Sequence, residues 1–397
     1  MFKGTSQYSG TRLFIDHAAG AFKRRGADVE IIDLFDFAEL SPGALQAKVL
    51  SGLTRGPADL LFSVNIMGEV TYDGRSLSQI YGGRQVVWHV DYVLSQQPRL
   101  EATPGDAHLL MVDPTQAEAL ISFYGPDRFA SVGFMPHAAI GEPAVEDPDP
   151  EAFVNRRGIE LLWCGGLQTP GASPWADAPA ATRSLFDDAL DLALSVEWMP
   201  PHAAFDTVLA ARGVDIDDPL NLGARYSAVH IDTQVRIIRR FEFVKALAKT
   251  GLPIHICGAG WDRDLYRFKR ATYHGAVEME RTASLMRETR VMLNTNGNFG
   301  GGSHERPFSA LLAGAAAFSD HSRYYGEVFE EGRDIALYRW KELPAGIEQL
   351  QDLVARPEVA WDIARNGRAK VLAGHTWESR VDTILAAAGL APSVLAA

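Results

Sequence analysis

The sequence predicts an α/β protein made of two Rossmann-like halves. Short apolar runs closed by Gly, Asp or Asn recur along the chain, as buried parallel strands do. Amphipathic stretches separate them, so strand and helix alternate. A Pro- and acid-rich stretch, 138–158, splits the chain into two such sets.

In the first half the strands expected are 29–34, 60–65, 85–90 and 108–112. In the second they are 161–164, 254–257 and 291–294. Helical patterns cover 12–24, 117–123, 182–196, 233–249, 281–288, 307–313 and 378–388. The first helix is amphipathic and stops at Gly26. Only residues 1–3 precede a turn containing Gly4, Ser6, Tyr8 and Gly10. The first strand is therefore very short, or the start given lies inside the natural one. Pro143, Pro148 and Pro150 lie among Glu142, Glu146, Asp147, Asp149 and Glu151. Such a segment is expected to bury no apolar face and to act as a surface linker. The domains expected are 1–140, a linker 141–158, a second domain 159–375 with a helical insertion over roughly 170–232, and a C-terminal helix and tail 376–397.

Composition narrows the function. The chain has 397 residues, 47% hydrophobic and 22% charged, which excludes a disordered chain. Two cysteines, Cys164 and Cys257, exclude a disulfide-stapled scaffold. A net charge of −12 argues against nucleic acid as a partner and against an anionic membrane surface. No apolar run reaches the length of a transmembrane span, and the first residues lack a signal-peptide core, so a cytoplasmic location is expected.

In open α/β sheets ligands bind beyond the carboxyl ends of strands, and polar residues gather there. The richest segment is 291–320, VMLNTNGNFGGGSHERPFSALLAGAAAFSD. A buried strand ends in Asn294 and Asn296, and a glycine loop runs to Gly302 and Ser303. His304, Glu305 and Arg306 then precede Pro307. Proline favours the first helical position, so Arg306 is expected at the N-cap, where no short side chain serves the free N–H groups. An anion could do so, with the helix dipole and Arg306. Ser309 lies one turn further in. The bland alternative is a surface turn whose Arg and Glu pair with each other.

Other strand ends carry weaker signals. Gly165 and Gly166 follow one strand, and Gly258, Gly260 and Trp261 follow another. Trp261 would stack on a base or pack in the core. His274 and Gly275 form a third cluster. In the first half His89 and Asp91 alternate at a strand end and would share a face suited to general-base or hydroxyl-binding work. Glu69 and His137 are further candidates there. Asp215 and Asp217 read as a loop, no metal-ligand spacing is legible, and Arg236, Arg239, Arg240, Lys245 and Lys249 read as a solvated helix face.

These residues resemble the donor domain of GT-B glycosyltransferases, in particular the spore-maturation (CgeB-like) group related to the group 1 transferases. The matching stretches are 161–166, 254–261, 273–275, 292–294, 302–308, 312–314, 319–320 and 375–377. The first half matches chiefly through 87–91. The resemblance implies two Rossmann-like domains facing each other across a cleft. It implies a nucleoside-diphosphate sugar as co-substrate, with no further cofactor and no metal. The donor would meet Gly165, Gly166, Gly258, Trp261, His274, Gly275, Asn294, Asn296, Gly302, Ser303, His304, Arg306 and Ser309. Glu305, His89 and Asp91 would be catalytic, and Tyr8, Glu69 and His137 would contact the acceptor, a glycan, protein or small molecule. One departure stands out. Related group 1 enzymes carry two glutamates where this chain has Gly301 and Ser309. The rival readings are a nucleotide-sugar epimerase of the same fold and an inactive transferase-like binding subunit. Apolar runs near the C-terminus point to an interface such as a homo-oligomer uses.

Overall fold

In the computed structural model the residues described are 1–3, 10–33, 43, 57–65, 71–72, 74–297, 299–392 and 395. Tyr8 and Glu69 lie outside them, as do Gly4 and Ser6. The chain forms two compact units, one of Met1–Ile140 with Thr376–Ala397 and the other of Gly141–His375.

The first unit holds the strands β1 (Phe2–Lys3), β2 (Ile32–Asp33), β3 (Leu60–Val64), β6 (Arg84–His89), β7 (His108–Met111) and β8 (Ser131–Phe134). A small antiparallel hairpin, β4 (Thr71–Tyr72) and β5 (Arg75–Ser76), stands apart. The sheet order is β2-β1-β3-β6-β7-β8, all parallel. The second unit holds β9 (Ile159–Cys164), β10 (Ile254–Cys257), β11 (Ala271–Tyr273), β12 (Thr289–Leu293), β13 (Ala316–Asp320) and β14 (Ala336–Tyr338). Its order, β11-β10-β9-β12-β13-β14, is parallel throughout and reverses between β9 and β12. That reversal is the doubly wound pattern, and a ligand crevice opens where the two central strands diverge.

The second core shows why these strands hold. Trp163, Phe243, Phe318 and Tyr338 are wholly buried. Their rings stack, Trp163 on Phe243 at 5.6 Å and Phe243 on Tyr338 at 5.1 Å. Such pairs contribute about 0.5–1.5 kcal/mol each beyond burial. The helical insertion contains the helices Ala180–Ser195 and Pro201–Ala211 and leads into the long helix Ala228–Thr250. Phe186 joins it, stacked on Trp175 at 4.9 Å and tilted against Phe205 at 5.1 Å.

The segment 141–158 is not a free linker. Pro150–Arg156 is a helix with Pro150 in its first turn and Asp149 as N-cap, accepting from the Ala152 N–H at 2.8 Å. Of the prolines and acids that suggested a spacer, Asp149, Pro150 and Glu151 are helix-start residues here. Phe153 is fully buried, and Arg157 fixes the segment to the second unit. Arg157 donates to Asp147 at 2.8 Å and to the carbonyls of Thr289 and Ala313, each at 3.0 Å. No helix among the described residues is long and apolar enough to cross a membrane.

Candidate functional site

The site builds up at the β9–β12 reversal. Beyond β9, Gly165 and Gly166 turn against the loop that follows β10. Gly165 N–H donates to Cys257 O at 2.9 Å, and Leu167 N–H to Ala259 O at 3.0 Å. This zippering demands glycine. A Cβ on Gly258 would lie 2.4 Å from Gly165 O, and one on Gly260 2.1 Å from Leu167 O. Both residues have positive φ, +131° and +81°. Loop packing therefore explains Gly258 and Gly260. Trp261 is wholly buried and donates its indole N–H to Gly165 O at 2.9 Å. It anchors the loop from the core, with no face open to a base. His274 sits at the end of β11, its Nε2 3.0 Å from His255 Nδ1. Gly275 beside it faces open space.

Arg306 reaches this loop from the other side. Its Nη1 donates to Cys164 O at 2.6 Å, and a Cβ on Gly165 would sit 3.0 Å from that nitrogen. Gly165 thus makes room for the guanidinium. The helix carrying Arg306 is Glu305–Leu312, with His304 at the N-cap and no side-chain capping bond. The start expected at Pro307 is therefore two residues late. Proline lacks only an N–H that the first turn leaves unbonded, so it fits inside that turn. His304 Nδ1 lies between Arg306 Nε, at 3.3 Å, and the Glu305 carboxylate. Burial and Arg306 push the His304 pKa down. Ser309 turns its hydroxyl back to Glu305 O at 2.9 Å. Ser303 is fully buried, and Gly302 N–H closes a turn on Phe299 O at 3.2 Å.

Beyond β12, Asn294 donates to Asn296 Oδ1 and to Ser319 Oγ. Asp320, at the end of β13, accepts from the backbone N–H groups of Asn296 and Gly297 and from the Trp340 indole. Burial nevertheless raises its pKa. Asn294 Oδ1 and Asn296 Nδ2 are buried without a partner among the described residues.

The long helix supplies what sequence reasoning missed. Arg239 is 7% exposed and donates to Gly297 O at 2.9 Å and Ala193 O at 3.1 Å. Arg240 donates to Gly166 O at 3.0 Å and reaches Thr295 Oγ1 at 3.4 Å. Only Arg236 of the three is exposed, so the solvated-face reading fails for its neighbours. The signal lay in Arg239 and Arg240 being adjacent. Adjacent residues lie about 100° apart around a helix, so two of them cannot both point along one outer stripe. Burial, Arg306 and Arg236 push the Arg240 pKa down to about 9, with Asp320 and Tyr338 acting weakly the other way. Arg236 and Arg240 line a cavity of about 410 Å³ with Gly166, Gln168, Ala259 and Gly260. Among the described residues neither they nor Arg306 forms an ion pair.

In the first unit His89 ends β6, 1% exposed, with neither ring nitrogen bonded among the described residues. Burial, with Arg99 nearby, lowers its pKa to about 4. Asp91 is exposed and accepts from Asn65 Nδ2 at 2.6 Å. The two therefore do not share a face, because β6 ends at His89 and the alternation stops there. His137 is buried with Phe14 and Trp88, ring centroids 5.7 and 5.3 Å away. Among the described residues no group of three or more His, Cys, Asp or Glu could hold a metal ion. Cys164 and Cys257 are free, buried and in register on β9 and β10.

Residues 239–386 match the family model described as "Glycosyl transferase-like". No curated protein sequence matches the chain. Among solved structures, HepE of Anabaena in complex with UDP and glucose aligns with a TM-score of 0.55 at 13% identity, over 97% of this chain and 98% of that one. Sucrose-phosphate synthase of Thermosynechococcus elongatus aligns with a TM-score of 0.52 at 12% identity, over 95% and 92%. Two TarM structures align with TM-scores of 0.41 and 0.47, and the chain spans 54% and 59% of their length. Residues 239–386 are thus a glycosyltransferase-like domain, and the chain has the fold of GT-B glycosyltransferases.

Proposed function

We propose that the protein transfers a sugar from a nucleoside-diphosphate sugar to an acceptor hydroxyl, with the diphosphate held in the second unit by Arg236, Arg240 and Arg306. The observation that carries this is the cavity of about 410 Å³ lined by Arg236 and Arg240, with the charge of Arg306 near enough to act on Arg240. Arg306 is buried and Arg240 half-buried, and guanidinium groups that repel one another there without an ion-pair partner cost stability unless an anion joins them. A diphosphate offers oxygens that guanidinium groups bind in pairs.

The chemistry follows from that placement. The bond between the sugar C1 and the diphosphate oxygen breaks, and charge grows on the departing oxygen. Arg240, Arg306 and the first turn of Glu305–Leu312 stabilise it without reorganising. The acceptor oxygen bonds to C1, and Asp91 is the proposed base for its proton. His89, enclosed and with a pKa of about 4, is too weak and too hidden for that task. The base of the donor is assigned to the neighbourhood of Gly275, His274 and Ala276, beside the open space at Gly275. The arginines supply positive charge, so the reaction is proposed to need no metal.

The test is thermal stabilisation by UDP, GDP, dTDP and ADP, for the wild type, Arg306→Ala and Arg240→Met. A ligand at 100 times its Kd stabilises by about 2.7 kcal/mol, a resolvable shift. One nucleotide should shift the wild type and neither variant. UDP comes first because the HepE structure holds it. A wild type that responds to none of the four refutes the reading.

A further inference from the structure

We propose that the turn Glu197-Trp198, between the helices Ala180–Ser195 and Pro201–Ala211, positions the glycine loop, Gly297 and residues 299–302, for the donor. The helical insertion would then set donor affinity without touching the donor. This rests on the glycosyltransferase reading for what the loop binds.

Trp198 has φ +67°, one of two non-glycine residues with positive φ in the described chain. For a bulky residue this conformation is unfavourable and persists only where the surroundings enforce it. The surroundings here are the loop and the ends of β13 and β14. The indole stacks on His321 at 4.8 Å and donates to His321 O at 3.2 Å. Its backbone presses on Gly300, where a Cβ would lie 2.9 Å from Trp198 Cα. Gly300 is therefore glycine because Trp198 is there, and its carbonyl is held by Arg323 N–H at 2.9 Å.

Glu197 makes the second tie. Its carboxylate accepts from the backbone N–H groups of Trp340 and Lys341, at 3.0 and 3.2 Å. The Trp340 indole donates to Asp320 at 3.1 Å, and Asp320 holds the N–H groups of Asn296 and Gly297. Arg239 makes a third tie, bridging Ala193 O in the insertion to Gly297 O in the loop. One direct contact, Trp198 on Gly300, and two relayed ones, through Trp340 and Asp320 and through Arg239, thus link the insertion to the loop. That loop leads into the helix start that carries Arg306.

A double-mutant cycle tests this with Trp198→Gly, Gly300→Ala and the pair. Trp198→Phe serves as the conservative rescue, and Glu197→Gln as a second route should Trp198→Gly fail to fold. Kd is measured for UDP, GDP, dTDP and ADP, and amide exchange of 297–302 is followed without ligand. Each single change should raise Kd about tenfold, and the pair no more than the worse single change, because both act at one contact. Trp198→Phe should stay within about threefold, since it keeps the stacked ring. Amides of the loop should exchange faster in Trp198→Gly. If the wild type binds a nucleotide and Trp198→Gly binds it equally well, the positioning role fails and the transferase reading stands. Strictly additive losses, or unchanged exchange, also overturn it. A wild type that binds none of the four nucleotides removes both.

Discussion

Arg240 is the residue whose environment says most. A guanidinium hardly ever gives up its proton, so a pKa pushed down to about 9 reports a charge held out of water first and repelled by Arg306 and Arg236 second. That is a cost in the free protein and an asset once an anion arrives. Arg240→Met should therefore raise the thermal stability of the ligand-free protein, by about 1 kcal/mol, while abolishing nucleotide binding. A variant both less stable and still able to bind would show that Arg240 is structural. Its role was hard to read in the sequence because helical spacing gives the direction of a side chain but not what packs over it.

His89 makes the opposite case. Both ring nitrogens are buried, and its pKa falls to about 4 through burial. The unfolded chain binds a proton near pH 6.5, and the native state does not until far lower. Stability is thus full above pH 6.5 and is lost as pH falls toward 4, by about 3 kcal/mol for this residue. His202, in the second unit, has the same sign and value of about 4, so acid weakens both units. Denaturant midpoints at pH 7.5 and 5 should differ less in His89→Gln than in the wild type. An equal difference would mean that His89 is protonated in the native state. In the sequence His89 looked like a base because it follows a strand, and only packing shows how fully it is enclosed.

At the scale of elements, the helix Glu305–Leu312 depends on a neighbour that no spacing or composition singles out. Helix Pro357–Gly374 lies against it, and Gly367 is the point of approach. A Cβ there would meet Asp334 O at 2.2 Å and Leu311 Cδ2 at 2.5 Å. Gly367→Ala should cost about 1–3 kcal/mol by overpacking and should weaken nucleotide binding, since the displaced helix carries Arg306. Loss of stability at undiminished affinity would separate this contact from the site. Hydrophobic period located the strands and helices nearest the site, because burial there is one-sided and regular. It misplaced the start of Glu305–Leu312 and misread Pro150–Arg156. Proline marks both breaks and first turns, and the sequence alone does not say which.

At the scale of the molecule, the two α/β sets were legible because each has its own run of strands. The chain's return to its first unit is a tertiary fact. Residues 376–397 pack with 1–140, though the C-terminal pattern showed only a helix. Trp377 is 3% exposed and completes a cluster with Phe14 and Trp88, its ring 6.0 and 5.5 Å from theirs. Arg380 adds bonds to Pro136 O and His137 O at 2.9 and 2.8 Å. Helix Trp377–Ala387 is therefore an integral piece of the first core. Trp377→Ala should cost about 3–5 kcal/mol, and the cost should fall on one unit. Hydrogen exchange reads this directly. Amides of Gly10–Arg24 and of β6 should lose protection, while those of β9 and β12 keep theirs, because no residue of the cluster belongs to the second core. Nucleotide affinity should survive, since the proposed arginine site lies wholly within Gly141–His375. Protection lost equally in both sheets would mean that the chain opens as a single cooperative body. A site built in the second unit would then depend on the first for its stability.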